Sequence, residues 1–173
     1  QLNREGCELY LSDINSDSLG ETLRMLTRKD VPANGQVLDV ADKAGMHAWA
    51  GQIADDRGHV DIVINNAGVA LITTVEASNY ENIEWLMGIN FWGVVYGTQA
   101  FLPLLHRAKA GRIVNVSSVL GSISMHADPS SSTYGFCEEE RVAVHGIAQR
   151  DEIGLEPSRT VGRNGEQQQV VQF

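Results

Sequence analysis

The sequence is short of several features that mark particular classes of protein. Its 173 residues hold two cysteines, Cys7 and Cys137. Two thiols make neither a disulfide framework nor a zinc-ligand spacing. The expected setting is therefore reducing and cytoplasmic, and Cys7 reads as a small buried side chain beside a strand. No apolar stretch approaches the length of a bilayer span, and residues 1–6 contain no apolar signal core. No membrane partner is expected. Position 1 is Gln rather than Met, which suggests a start inside a longer protein. Positive charge is also scarce: 13 Lys and Arg stand against 22 Asp and Glu, for a net charge of −9. The 13 are scattered, so no basic patch exists to neutralise phosphates, and nucleic acid is excluded as an expected partner. Internal repeats and an obvious interdomain linker are missing too.

What remains is a globular composition with 43% apolar residues, enough for one domain with a sizeable core. Residues 8–13 read as a short strand ending on Asp13. Residues 16–26 read as a helix, because Leu19, Leu23 and Leu26 recur at helical spacing and Ser16 or Asp17 can cap the start. Residues 36–40 read as a second strand near Asp39. Residues 42–56 form a second helix with Met46, Trp49 and Ile53 on one face. Residues 60–64 form a third strand, apolar on both faces, which suits a parallel sheet covered by helices on both sides. Residues 79–106 look helical, with a break near Gly93 to Gly97 and a disturbance at Pro103. Residues 112–118 are a fourth strand. The alternation predicts an α/β fold, a Rossmann-like doubly wound parallel sheet with right-handed crossovers. Residues 1–154 are read as one partial domain and residues 155–173 as a disordered tail.

In such a sheet, ligands bind beyond the carboxyl ends of the strands. Asp13 stands at one such end and can accept hydrogen bonds from both hydroxyls of a ribose; a cap or turn acid is an equal reading. Asp39, followed by Val40, can face an adenine or cap the next helix, and alone the cap reading is stronger. Asn65, Asn66, Ala67 and Gly68 follow a buried strand directly. Two amides and two small residues let a flat cofactor approach the backbone, where a plain turn is the competing reading.

Taken in order, these motifs resemble the classical short-chain dehydrogenases/reductases. The family's Asn-Asn-Ala-Gly matches residues 65–68, its Asp at the end of the third strand falls on Asp39, its helix Asn falls on Asn90, and its serine strand falls on residues 113–118. The match is good over residues 4–121 and poor over 122–150. The resemblance implies hydride transfer between NAD(H) and a small-molecule alcohol or carbonyl. Asp13 implies NAD in preference to NADP, since a carboxylate repels a 2′-phosphate. It further implies that Ser118 orients the carbonyl oxygen, that Tyr134 is the general acid or base, that Asn90 holds a relay water, and that the protein is often a homo-oligomer. No metal is implied.

The pattern departs from the family in two places. The opening strand and its Gly-rich phosphate loop are missing ahead of Arg4, which predicts that the strand at 8–13 and the strand at 60–64 lack their shared central neighbour. No lysine follows Lys109, and Tyr134 is followed four residues later by Glu138, a charge that raises a phenol's pKa. A second register places Arg141 at the lysine position and Cys137 at the tyrosine position. Both departures favour an alternative in which the chain is a catalytically inactive, truncated family member.

Overall fold

The computed structural model describes residues 1–71, 73, 76–117 and 169–172 of the chain. Five parallel strands form one sheet: β1 (Glu8–Asp13), β2 (Ala33–Val37), β3 (Ile62–Asn65), β4 (Arg112–Asn115) and β5 (Gln169–Gln172). Their order across the sheet is β2-β1-β5-β3-β4. The helices are α1 (Ser16–Met25), α2 (Lys43–Arg57), α3 (Tyr80–Met87) and α4 (Val94–Leu105), with a π-helical segment, Gly88–Gly93, between the last two.

The central strands β1, β5 and β3 put alternate residues on opposite sides, and each side meets an apolar core, whereas β2 at the edge is largely exposed. Tyr10, Val63 and Val171 point to one core, where Met46, Trp49 and Ile53 of α2 meet Phe101 and Leu104 of α4. Trp49 and Phe101 meet edge to face at 5.6 Å, a geometry aromatic pairs prefer. Leu9, Leu11 and Val170 point to the other core, with Ile62 and Ile64 packed around them, and α1 closes it with Leu19 and Leu23. The two-faced apolar run at 62–64 is thus a consequence of having helices on both sides.

Local signals place the helix ends. Asn15, rather than Ser16 or Asp17, caps α1: its Oδ1 accepts from the N–H groups of Asp17 (2.9 Å) and Ser18 (3.0 Å). Asp42 caps α2 by accepting from Gly45 N–H at 3.1 Å. Gly58 ends the same helix at φ +79°, a left-handed conformation that costs glycine nothing. Strand β2 lies three residues earlier than the apolar run at 36–40 suggests, because its register follows β1, with Leu9 beside Ala33 and Asp13 beside Val37. The expected break at Gly93–Gly97 is instead the widened π turn at Gly88–Gly93, after which α4 continues through Pro103 and stops two residues later.

The largest departure from the sequence reading is β5. Residues 169–172 lie in the stretch read as a disordered tail, yet they form the central strand. Val170 and Val171 are both fully buried, and β5 pairs with β1 on one side and β3 on the other. The expectation that β1 and β3 lack a shared neighbour is corrected accordingly. A two-valine run flanked by glutamines is too short to stand out from a polar, Gln-rich stretch by pattern alone.

Candidate functional site

The carboxyl ends of β1, β2 and β3 open on a cleft of about 310 Å³ lined by residues 12–14, 38–40 and 66–69, with Ile89. The strand ends supply the floor, as expected for an open parallel sheet. Leu38 N–H donates to the carbonyl of Asp13 at 3.1 Å, which holds the stretch after β2 against the end of β1.

Two carboxylates face this opening. Asp13 accepts from Asn15 N–H at 2.8 Å and Asp39 accepts from Ala41 N–H at 2.9 Å. Each is an Asx turn, in which a side-chain oxygen accepts from the N–H two residues on, and both residues line the cleft. The capping role considered for Asp39 belongs to Asp42. Val40 supplies an apolar wall, and Gly93 of the π segment approaches it so closely that a Cβ on Gly93 would stand 2.9 Å from Val40 Cγ2. Any larger residue at 93 pushes on the cleft wall.

The Asn65-Asn66-Ala67-Gly68 stretch divides into two roles. Asn66, Ala67 and Gly68 line the cleft. Asn65 turns inward and is 4% exposed. Its Nδ2 donates to Asn115 Oδ1 at 2.7 Å and approaches Thr98 Oγ1 at 3.4 Å, so one amide joins β3, β4 and α4. Its Oδ1 is buried and has no hydrogen-bond partner among the described residues. Neither Asn115 nor Thr98 stands out in the sequence as a site residue; an asparagine interrupting the apolar strand at 113–116 is the signal that marks Asn115.

Asn90 lies in the π-helical segment, a geometry common at functional sites. Its Oδ1 accepts from Val69 N–H and its Nδ2 donates to the Val69 carbonyl, both at 2.8 Å. The side-chain amide thus pairs with Val69 as a neighbouring strand would, and holds the loop after Gly68 in place. Replacing Asn90 with alanine leaves both Val69 groups without that partner. The expected cost is about 1–3 kcal/mol, together with faster amide exchange at Val69 than in the wild type, read by hydrogen–deuterium exchange. Unchanged protection of Val69 would contradict this role.

Ser118 and Tyr134, and the alternative pair Cys137 and Arg141, lie outside the described residues. So do Val119 to Gly121. The described part of the site is therefore the half formed by β1, β2 and β3. Among the described residues, no group of three or more His, Cys, Asp or Glu is placed to hold a metal ion, and no helix is long and apolar enough to cross a membrane.

Comparison with known proteins places this geometry. A family model for short chain dehydrogenases matches residues 1–135. The chain is 35% identical over 148 residues to the protein named SadH of Mycobacterium tuberculosis, described as an oxidoreductase, covering 86% of this chain and 51% of that one. A short chain dehydrogenase/reductase from Burkholderia phymatum, solved in complex with NAD, shares 29% identity and superposes with a TM-score of 0.62 over 77% of this chain and 47% of its own. A gluconate 5-dehydrogenase from Burkholderia cenocepacia, solved with NADP and tartrate, shares 25% identity with a TM-score of 0.62 over 80% of this chain and 55% of its own. The chain spans about half the length of these relatives.

Proposed function

The chain belongs to the short-chain dehydrogenase family, and from that premise we propose that it is part of an NAD(H)-dependent oxidoreductase acting on a small-molecule alcohol or carbonyl. The observation that carries the reading is the cleft at the carboxyl ends of β1 to β3, with the carboxylates of Asp13 and Asp39 on the neighbouring ends of β1 and β2 and the small residues 66–68 after β3. These residues fit the adenosine half of a dinucleotide. The Asp13 carboxylate accepts from the ribose hydroxyls, Asp39 and Val40 bound the adenine, and residues 66–68 let the cofactor lie against the backbone. When bound, the cofactor supplies or accepts the hydride. By resemblance to the family, Ser118 orients the substrate oxygen and Tyr134 moves its proton. Asn65 and Asn90 act here as positioning residues, holding the strand ends and the loop at Val69.

The preference for NAD over NADP rests on Asp13 and Asp39, whose negative charge disfavours a 2′-phosphate. Calorimetric titration of the purified chain is expected to give tighter binding of NADH than of NADPH. Asp13→Asn is expected to weaken NADH by roughly tenfold, the scale of one hydrogen bond to a charged acceptor, and to narrow the gap between the two cofactors. Tighter binding of NADPH by the unaltered chain would overturn the assignment.

A second reading, a family scaffold without turnover, is favoured by the absence of any lysine after Lys109. Its signature is NADH binding with no NADH oxidation for any carbonyl offered. Oxidation that disappears in Ser118→Ala would exclude it.

A further inference from the structure

We propose that the π turn is a fitted seat for the loop after β2, and that Gly93 is the positioning residue that sets the adenine side of the cleft. The proposal rests on the nucleotide reading only for the identity of the ligand. Both walls of the cleft meet this one turn. Val40 lies against Gly93, where a Cβ would stand 2.9 Å from Val40 Cγ2 and 3.1 Å from Val40 Cβ. Ala41 lies beside Gly88, where a Cβ would stand 3.8 Å from that of Ala41. Asn90 holds Val69 on the other wall, and Ile89 lines the cleft itself.

The winding of the turn explains the fit. Gly88 and Gly93 are its first and last residues, five positions apart. On an α-helix that spacing leaves two residues about 140° apart around the axis. A π-helix bonds residue i to i+5, which brings the two onto one face. Both glycines then meet consecutive residues of the same loop.

The loop is folded by short-range bonds. Ala41 N–H donates to Asp39 Oδ1 and Asp42 N–H to the Asp39 carbonyl, both at 2.9 Å. These bonds shape the loop without fixing its distance from the strand ends; the seat fixes that distance. The nearest atoms to a Cβ at position 93 all belong to Val40, and the turn is continuous with α3 and α4 at its two ends. An added methyl therefore displaces the loop rather than the turn, and Val40 moves with it.

The test titrates ADP-ribose, the adenosine half of the dinucleotide without the nicotinamide, into the full chain by calorimetry. Gly93→Ala is expected to weaken it about tenfold, within the range that over-packing by one methyl produces. Gly51→Ala is the control for the change of residue type, since an added Cβ there meets nothing within 4 Å; it is expected to leave binding unaltered. Val40→Ala removes the nearest atom, so on that background Gly93→Ala is expected to cost less than about twofold. Hydrogen–deuterium exchange of the unliganded chain is the second readout. The Ala41 amide is expected to exchange faster in Gly93→Ala and to return toward the wild-type rate in the double variant, while Val69 keeps its protection. Should Gly93→Ala not fold, the double variant decides: it is expected to fold and to bind ADP-ribose as Val40→Ala does. Wild-type affinity and wild-type Ala41 exchange in Gly93→Ala overturn the proposal, as does a loss that Val40→Ala does not repair. An unaltered chain that binds no ADP-ribose overturns the nucleotide reading instead, and the Ala41 exchange then decides the seat by itself.

Discussion

Val171→Asp is expected to abolish cooperative folding of the chain. Val171 is fully buried in the core between the sheet and helices α2 and α4, whose described members are all uncharged. Deleting its two methyl groups alone, as in Val171→Ala, is expected to cost about 2–3 kcal/mol through lost burial and the cavity left behind. Adding an unpaired charge adds a desolvation penalty of several kcal/mol more. A domain of this size has about 5–15 kcal/mol to lose. The damage is not confined to one core, because among the described residues β5 is the strand that joins the two halves of the sheet. Urea titration followed by far-ultraviolet circular dichroism is expected to show no cooperative transition for the aspartate variant and a lowered midpoint for the alanine variant. A wild-type midpoint in Val171→Asp would mean that β5 does not hold the sheet together.

The second large effect is at the opposite end of the sheet from the cleft. The Glu8 carboxylate is 5% exposed and accepts from Arg57 Nη2 at 2.7 Å and from Arg57 Nε at 2.9 and 3.0 Å. Tyr10 donates its hydroxyl toward Glu8 (3.2 Å) and Asp56 (2.8 Å). This cluster fastens the start of β1 to the end of α2. Arg57→Ala strands a buried carboxylate, which costs about 3–5 kcal/mol where both partners are enclosed. Arg57 is 34% exposed, so water screens part of the interaction and about 2–3 kcal/mol is expected. Adding Glu8→Leu to Arg57→Ala should recover most of that loss, because the pair rather than its absence carries the desolvation cost.

The same cluster predicts a pH dependence. Burial first, then the hydrogen bond to Asp56 and the nearby Glu8 charge, push the Tyr10 phenol above its usual range. Below about pH 10 the phenol is protonated in both folded and unfolded chains, so its contribution is complete. Above that, the unfolded chain ionises first, and stability falls as pH rises toward the folded-state value. Tyr10→Phe is expected to flatten this alkaline decline in urea midpoints measured between pH 8 and pH 11, a range chosen to span the ordinary phenol value of about 10. An identical slope in both proteins would remove Tyr10 as its source.

Several features were legible from residues alone because their causes are local. The helical spacing of Leu19 and Leu23, and of Met46, Trp49 and Ile53, marks the faces that α1 and α2 bury. The apolar run at 62–64 marks a strand covered on both sides. Asp13, Asp39 and residues 66–68 reach the cleft because strand ends and the residues just beyond them face a ligand in a parallel sheet. Other features depended on partners distant in sequence. Asn65 reads as a cleft residue until Asn115, fifty positions on, is placed beside it. The pairing of the Asn90 amide with Val69, twenty-one positions earlier, shows only in the fold. The second strand's position follows its register with β1 rather than its own apolar run.

By itself, then, the sequence determined the fold class, the family and the acidic side of the cleft, since each is written in spacing or in a contiguous motif. The tertiary structure alone decided what fills the centre of the sheet. Nothing within Gln169–Gln172 is strongly strand-forming beyond two valines; their place is set by two unpaired edges and two apolar faces that β1 and β3 present together. A buried edge must be paired, and that requirement belongs to the assembled sheet rather than to any one segment of chain.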